Sequence, residues 1–221
     1  MTRGTQVLMT GAFSGLGRGI AECLSTEGLE VVGIGRDSGR RLSSPGVSQA
    51  IEWDLSVPRA GVSALRSWLD VSSMPFYLLL CAATIDPLGP LGTLNIDEVE
   101  RSVNVNFVSQ TLILNECLKP IRGSRLLVGV AFVNSGAASN PIRGWGMYCA
   151  GKAATQMLIQ CVRQEQPQLP IFIRDPGVVD TPMQNRLRAT GFDLPLNGFG
   201  LRDPQIAAEA LVRDFLNEMG N

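Results

Sequence analysis

Residues Thr10–Gly19 read TGAFSGLGRG, directly after the apolar run Gln6–Thr10 and overlapping the segment Leu16–Glu27, where Ile20 and Leu24 recur at helical spacing. A glycine-rich turn from strand into helix lets the backbone approach a phosphate group closely. The free N–H groups of the helix N-terminus then meet its charge. The spacing is G-x-x-x-G-x-G rather than the G-x-G-x-x-G of the commoner dinucleotide fingerprint. Gly11, Ser14, Gly15, Leu16 and Gly17 are the candidate pyrophosphate contacts; the alternative is a turn whose glycines answer only steric needs.

Working outward, short apolar runs alternate with longer amphipathic ones along the whole chain. That pattern predicts an α/β fold in which crossover helices cover both faces of a parallel sheet. Strands are expected at Gln6–Thr10, Glu30–Gly35, Gln49–Trp53, Phe76–Ala82, Arg125–Asn134 and Ile171–Asp175. Helices are expected at Leu16–Glu27, Ala60–Val71, Ile96–Leu118, Tyr148–Glu165 and Pro204–Glu218. The result is a doubly wound, Rossmann-type sheet of six strands in one domain, residues 1–221. Asp37–Val47, rich in Ser, Gly and Arg, reads as a loop, and Pro182–Asp203, which lacks periodicity, as a short substrate lid (182–203).

The bulk numbers narrow the chemistry. A formal net charge of −1 over 221 residues offers no basic field, so neither nucleic acid nor an anionic membrane is an expected partner. Five cysteines without CxxC spacing, and no targeting or membrane-spanning run, point to a reduced, cytoplasmic setting. The sequence contains no histidine, which removes the commonest general base and metal ligand; no metal site is expected.

The second strand ends VVGIGRD, with Arg36 after Gly35 where NAD-binding proteins place an acid for the ribose 2′-hydroxyl. A guanidinium pairs with a 2′-phosphate that a carboxylate would repel, so NADP(H) is the expected cofactor. Otherwise Arg36 is a solvated arginine partnered by Asp37.

Further along, GWGMYCAGKAATQ (144–156) puts Tyr148 and Lys152 at i and i+4, on one helix face. An ammonium and a bound cationic ring would favour the phenolate and lower a pKa that is about 10 for a free phenol. Tyr148 could then exchange a proton with a substrate oxygen. Ser135, in FVNSGAAS, lies at the carboxyl edge of the fifth strand, where open parallel sheets bind ligands. By itself YxxxK also fits a core-edge tyrosine beside a solvated lysine.

TGxxxGxG, a serine thirteen residues before YxxxK, and the later PGVVDT together resemble the short-chain dehydrogenase/reductase family over nearly the whole chain. The resemblance implies NADP-dependent oxidoreduction with Tyr148 as acid–base, Lys152 lowering its pKa and holding the nicotinamide ribose, and Ser135 orienting a carbonyl. It also implies an asparagine in the long fourth helix: RSVNVNFVSQ offers Asn104 and Asn106, and the family pattern favours Asn104. Asp54 and Leu55 match the family's adenine contacts, and Pro176, Gly177, Val179 and Thr181 its nicotinamide and diphosphate segment. Ala82 and Ala83 stand where the family has the last residues of NNAG. The sequence ends after a helix where the family adds a seventh strand.

Within the family, Ser135–Gln184 is similar to sepiapterin reductases and bacterial diketone (benzil) reductases. This implies a small-molecule carbonyl substrate, a ketone or vicinal diketone of apolar or aromatic character. Trp145, Ile85, Pro87, Met183, Leu187 and Phe192 are its expected pocket. A pterin reductase, a biosynthetic tailoring ketoreductase and a non-catalytic NADP-binding sensor or scaffold are the alternatives. Family helices Ile96–Leu118 and Tyr148–Glu165, the latter with Ile159 and Val162 as surplus apolar residues, imply a homodimer, with a tetramer possible.

Overall fold

A computed structural model describes residues 4–36, 44–120, 126–192 and 200–219. Among these, six strands form one parallel sheet: β1 (Gln6–Thr10), β2 (Glu30–Gly35), β3 (Gln49–Glu52), β4 (Phe76–Leu80), β5 (Leu127–Val133) and β6 (Ile171–Arg174), in the order β3-β2-β1-β4-β5-β6. That is the doubly wound order, whose switch point lies between β1 and β4. Register there runs Gln6 against Phe76 to Thr10 against Leu80, so the two strands end level and open one crevice at their carboxyl ends. Among the described residues seven α-helices accompany the sheet: α1 (Gly15–Thr26), α2 (Val62–Val71), α3 (Ile96–Val103), α4 (Ser109–Leu118), α5 (Gly146–Glu165), α6 (Pro182–Thr190) and α7 (Pro204–Met219).

The strands are apolar on both faces because both are covered. Alternation divides their side chains: Leu8, Leu78 and Phe132 pack under α2, α4 and α5, whereas Val7, Met9 and Leu79 pack under α1 and α7. Each fully buried Leu, Ile or Phe in these two layers contributes roughly 1.5–3 kcal/mol. Asn95 starts α3 by accepting from the backbone of Asp97 and Glu98, whose carboxylates suit the positive end of a helix.

Several expectations are corrected. The helix predicted over Ile96–Leu118 is interrupted by one π-helical turn, Asn104–Val108, between α3 and α4. Trp53, Cys81, Ala82, Asn134 and Asp175 lie just beyond the strands assigned to them. α5 starts at Gly146, two residues before Tyr148. The lid is not irregular throughout: Pro182–Thr190 is helical, with Pro182 at its first turn and Gly191 in the left-handed conformation at its end. Residues 37–43 of the expected loop, Arg125 of the expected fifth strand and 193–199 of the lid lie outside the described residues. Ile159 and Val162 are not surplus, because they are the sheet-facing stripe of α5. Met157 and Cys161 carry that helix's exposed apolar surface instead.

Candidate active site

The crevice at the switch point is a cleft of about 1220 Å³. Gly11, Ser14, Gly15, Leu16, Gly17, Arg36, Asp54, Leu55, Ala82, Ala83, Ser135, Tyr148, Lys152, Pro176, Gly177, Val179 and Thr181 all line it. Every catalytic or cofactor-binding candidate named from the sequence is therefore brought to one place, with the exception of the two asparagines, Asn104 and Asn106.

One end is a cradle. α1 begins at Gly15 without a side-chain cap and without an acid in its first turn, which leaves its leading N–H groups to an anion. Gly17 faces the turn so closely that a Cβ there would stand 2.1 Å from the Gly11 carbonyl oxygen. Thr10, a residue that motif reading passed over, ties this turn to β4. Its Oγ1 accepts from the N–H groups of Cys81 and Ala82, each at 3.1 Å. A cradle that only glycine fits, backed by uncapped helix amides, suits the pyrophosphate of a nicotinamide dinucleotide.

Beyond the cradle, Arg36 is exposed at the end of β2. Burial alone would raise the Asp54 carboxyl. Two hydrogen bonds from Ser56, at 2.9 and 2.8 Å, with Arg36 and Arg101 nearby, instead hold it below the usual carboxylate range. Arg101, on α3, lines the same cleft.

The other end holds Tyr148, Lys152 and Ser135. Lys152 is buried, donates to the Val133 carbonyl at 2.7 Å, and lies 4.9 Å from the Phe132 ring centroid and 5.8 Å from that of Tyr148. Burial pulls its pKa down to about 8, opposed by Cys81 and Asp175. Tyr148 is only 7% exposed and packs edge-on against Trp145. Burial pushes its phenol up to about 12, although a hydrogen bond with Ser135 acts the other way. Without a bound cofactor the net shift is therefore upward, and at neutral pH the phenol holds its proton, as an acid must.

The two asparagines part company. Asn104 turns away and donates to the Ser56 carbonyl at 3.1 Å. Asn106 is buried against α5, where Gly151 makes room for it; a Cβ at Gly151 would stand 2.6 Å from that of Asn106. Thr155, also on α5, donates to the Asn106 carbonyl at 2.8 Å. The preference for Asn104 is therefore corrected: the π turn delivers Asn106 to the helix that carries Tyr148 and Lys152. π turns recur at functional sites because the extra residue re-aims the side chains beside it.

Ile85, Trp145 and Met183 line the reacting end of the cleft, while Pro87, Leu187 and Phe192 do not. Leu187 and Phe192 pack behind that wall, and Trp145 donates from its indole to the Phe192 carbonyl at 2.9 Å. Asp86 and Arg186 form an ion pair between the loop after β4 and α6. Among the described residues, no cluster of acids and cysteines suits a metal ion, and no helix is long and apolar enough to cross a membrane.

A strand, glycine turn and helix at the switch point of such a sheet, opening on a buried tyrosine and lysine, define a dinucleotide-dependent oxidoreductase of Rossmann type. A family model described as short chain dehydrogenase matches residues 5–191, and the chain belongs to that family, whose members use nicotinamide cofactors. A benzil reductase ((S)-benzoin forming) of Bacillus cereus is 29% identical, the match covering 83% of this chain and 79% of that one. Sepiapterin reductase of Rattus norvegicus is 30% identical, over 87% and 71% of the two chains. Among solved structures, the KRED1-Pglu enzyme superposes with a TM-score of 0.79 at 25% identity, over 94% of this chain and 93% of that one. A short-chain dehydrogenase from Sphingobium yanoikuyae in complex with NADPH shares the fold, with a TM-score of 0.77 at 22% identity, covering 97% and 85%.

Proposed function

We propose that the protein is an NADPH-dependent carbonyl reductase acting on ketones or vicinal diketones of apolar or aromatic character. The observation that carries this reading is the convergence of Ser135, Tyr148 and Lys152 on one cleft, with Ile85, Trp145 and Met183 lining the same space. When bound, the cofactor supplies the hydride. Ser135 and Tyr148 hold the substrate oxygen, and the Tyr148 hydroxyl gives it a proton as charge develops there. Lys152, charged below its pKa of about 8, favours the phenolate left behind and reaches the ribose side of the cofactor. Asn106 is a positioning residue, through Thr84 and α5.

Pro176, Gly177, Val179 and Thr181 hold the nicotinamide end, Ala82 and Ala83 the middle, and Asp54 and Leu55 the adenine. Arg36 selects the 2′-phosphate, a reading supported by its exposed place in the cleft. The complex of the Sphingobium relative with NADPH is in keeping with that selection.

The chain acts as one reductase domain over 1–221, with the segment 182–203 as its lid. It assembles as a homodimer through α3–α4 and α5, where Val103 and Met157 are 38% and 61% exposed. Sedimentation equilibrium showing a monomer at micromolar concentration would defeat the dimer. NADPH absorbance followed over a panel of ketones and diketones tests the activity, and no oxidation with any of them would overturn it.

A further inference from the structure

Asp175 has no task in the reaction described above. It stands between β6 and the Pro176–Gly177 turn and lines the cleft, to which it is exposed. One oxygen, Oδ1, accepts the Gly177 N–H at 2.8 Å, which fixes the carboxylate. The other, Oδ2, faces Gly136, the neighbour of Ser135; a Cβ on Gly136 would stand 3.3 Å from it. No ion pair among the described residues includes Asp175. Its charge nevertheless reaches the reacting groups, raising the proton affinity of both Tyr148 and Lys152. The other acids of the cleft are placed differently: Asp86 pairs with Arg186, Asp54 is held by Ser56, and Glu98 belongs to α3. The reacting end thus carries one uncommitted anionic acceptor beside an apolar wall.

We infer that Asp175 selects substrates bearing a hydrogen-bond donor, in the simplest case a hydroxyl, on the carbon next to the reacting carbonyl. The inference rests on the carbonyl reductase reading and deepens it. A vicinal diketone turns a second carbonyl oxygen toward the carboxylate, and both groups only accept. An α-hydroxyketone turns an O–H there and gains a charge-assisted bond. The chemistry is otherwise the same: the carbonyl carbon gains a hydride and its oxygen a proton, the nicotinamide is oxidised, and the product is a vicinal diol. Asp175 neither gains nor loses a proton.

The test uses three ketones on one 1,2-diphenyl skeleton: the diketone, the hydroxyketone, and the ketone without the second oxygen. Values of kcat/KM are compared for the wild type, Asp175→Asn and Asp175→Ser. Calorimetric titration of the vicinal diol into NADPH-saturated protein adds a measurement that needs no turnover. Asparagine keeps an acceptor for the Gly177 N–H and replaces the charged acceptor with a donor. In the wild type the hydroxyketone should exceed the diketone by roughly tenfold in kcat/KM, mostly through KM. Both variants should lose that preference, Asn inverting it, and should bind the diol roughly tenfold more weakly. The same ketone ratio in all three proteins, or unchanged diol affinity, overturns the inference while leaving the reductase reading intact. Failure of the wild type to reduce any of the ketones sinks the reductase reading instead, and the diol titration still decides the role of Asp175.

Discussion

Asn106 grips Thr84 twice: its Oδ1 accepts the Thr84 N–H at 2.8 Å and its Nδ2 donates to the Thr84 carbonyl at 2.9 Å. Ser102 accepts a further bond from the same amide at 3.2 Å. One buried side chain thus fixes the chain leaving β4, which forms the middle wall of the cleft, against the helix carrying Tyr148 and Lys152. Asn106→Ala strands two backbone groups, and we expect it to cost about 2–3 kcal/mol of stability. Turnover should fall by more than tenfold. Asn104→Ala, which removes one bond to Ser56, should cost about 1 kcal/mol. Urea denaturation and steady-state kinetics on both variants check the order, and an Asn104 variant as damaging as Asn106→Ala would contradict it.

Tyr148→Phe keeps the ring that packs on Trp145 and removes only the hydroxyl. Turnover should vanish while NADPH binding, followed by fluorescence, stays within about twofold of the wild type. More than a few per cent residual activity would remove Tyr148 from the role of proton donor.

Arg36→Ala should erase most of the preference for NADP(H) over NAD(H). Loss of one charge-assisted contact with the 2′-phosphate corresponds to roughly 1.5–3 kcal/mol, or about ten- to a hundredfold in relative affinity. Equal dissociation constants for the two cofactors in the unmutated protein would show that Arg36 does not select.

Acid sensitivity should centre on Glu116, whose side chain is 7% exposed and bonded by Arg66 and Lys119. Chiefly through Arg66, its pKa falls from 4.5 to about 2. A carboxylate with a depressed folded pKa stabilises the fold above its unfolded value, and that contribution is lost as pH falls from 4.5 toward 2. Because Arg66 and Lys119 are themselves about half exposed, the loss is on the order of 2 kcal/mol. Glu116→Gln should be less stable than the wild type at pH 7 and flatter across the acid window in thermal melts. Parallel acid limbs for the two proteins would move the effect elsewhere.

Much of this molecule is legible in one dimension. Where a short continuous apolar run gives way to helical spacing around Gly11, Gly15 and Gly17, local geometry and site coincide, and the turn is found without tertiary information. Ser135, Tyr148 and Lys152 are readable for the same reason, since a strand end and an i, i+4 pair are local facts. Asn104 and Asn106 are not separable in that way, because a π turn inserts an extra residue into the helical register and no short-range signal in RSVNVNFVSQ marks it. The direction of α5 about its own axis is likewise tertiary: Ile159 and Met157 are equally apolar in sequence, yet one is fully buried and the other 61% exposed. α6 leaves no periodic signal in the sequence because Leu187 is its one buried residue, too little to set a stripe. The proton affinity of Tyr148 depends on burial, which no spacing reveals.

The contact between Gly17 and the Gly11 carbonyl divides the cleft for anyone wishing to re-engineer it. A library at position 17 has a single member compatible with the turn as it stands, since even alanine would push its methyl group into a backbone oxygen. Position 36 is exposed just after β2, where a change of side chain costs the fold little. Evolution of cofactor choice in this scaffold is therefore confined to the rim, and the glycine floor passes unchanged from one specificity to the next.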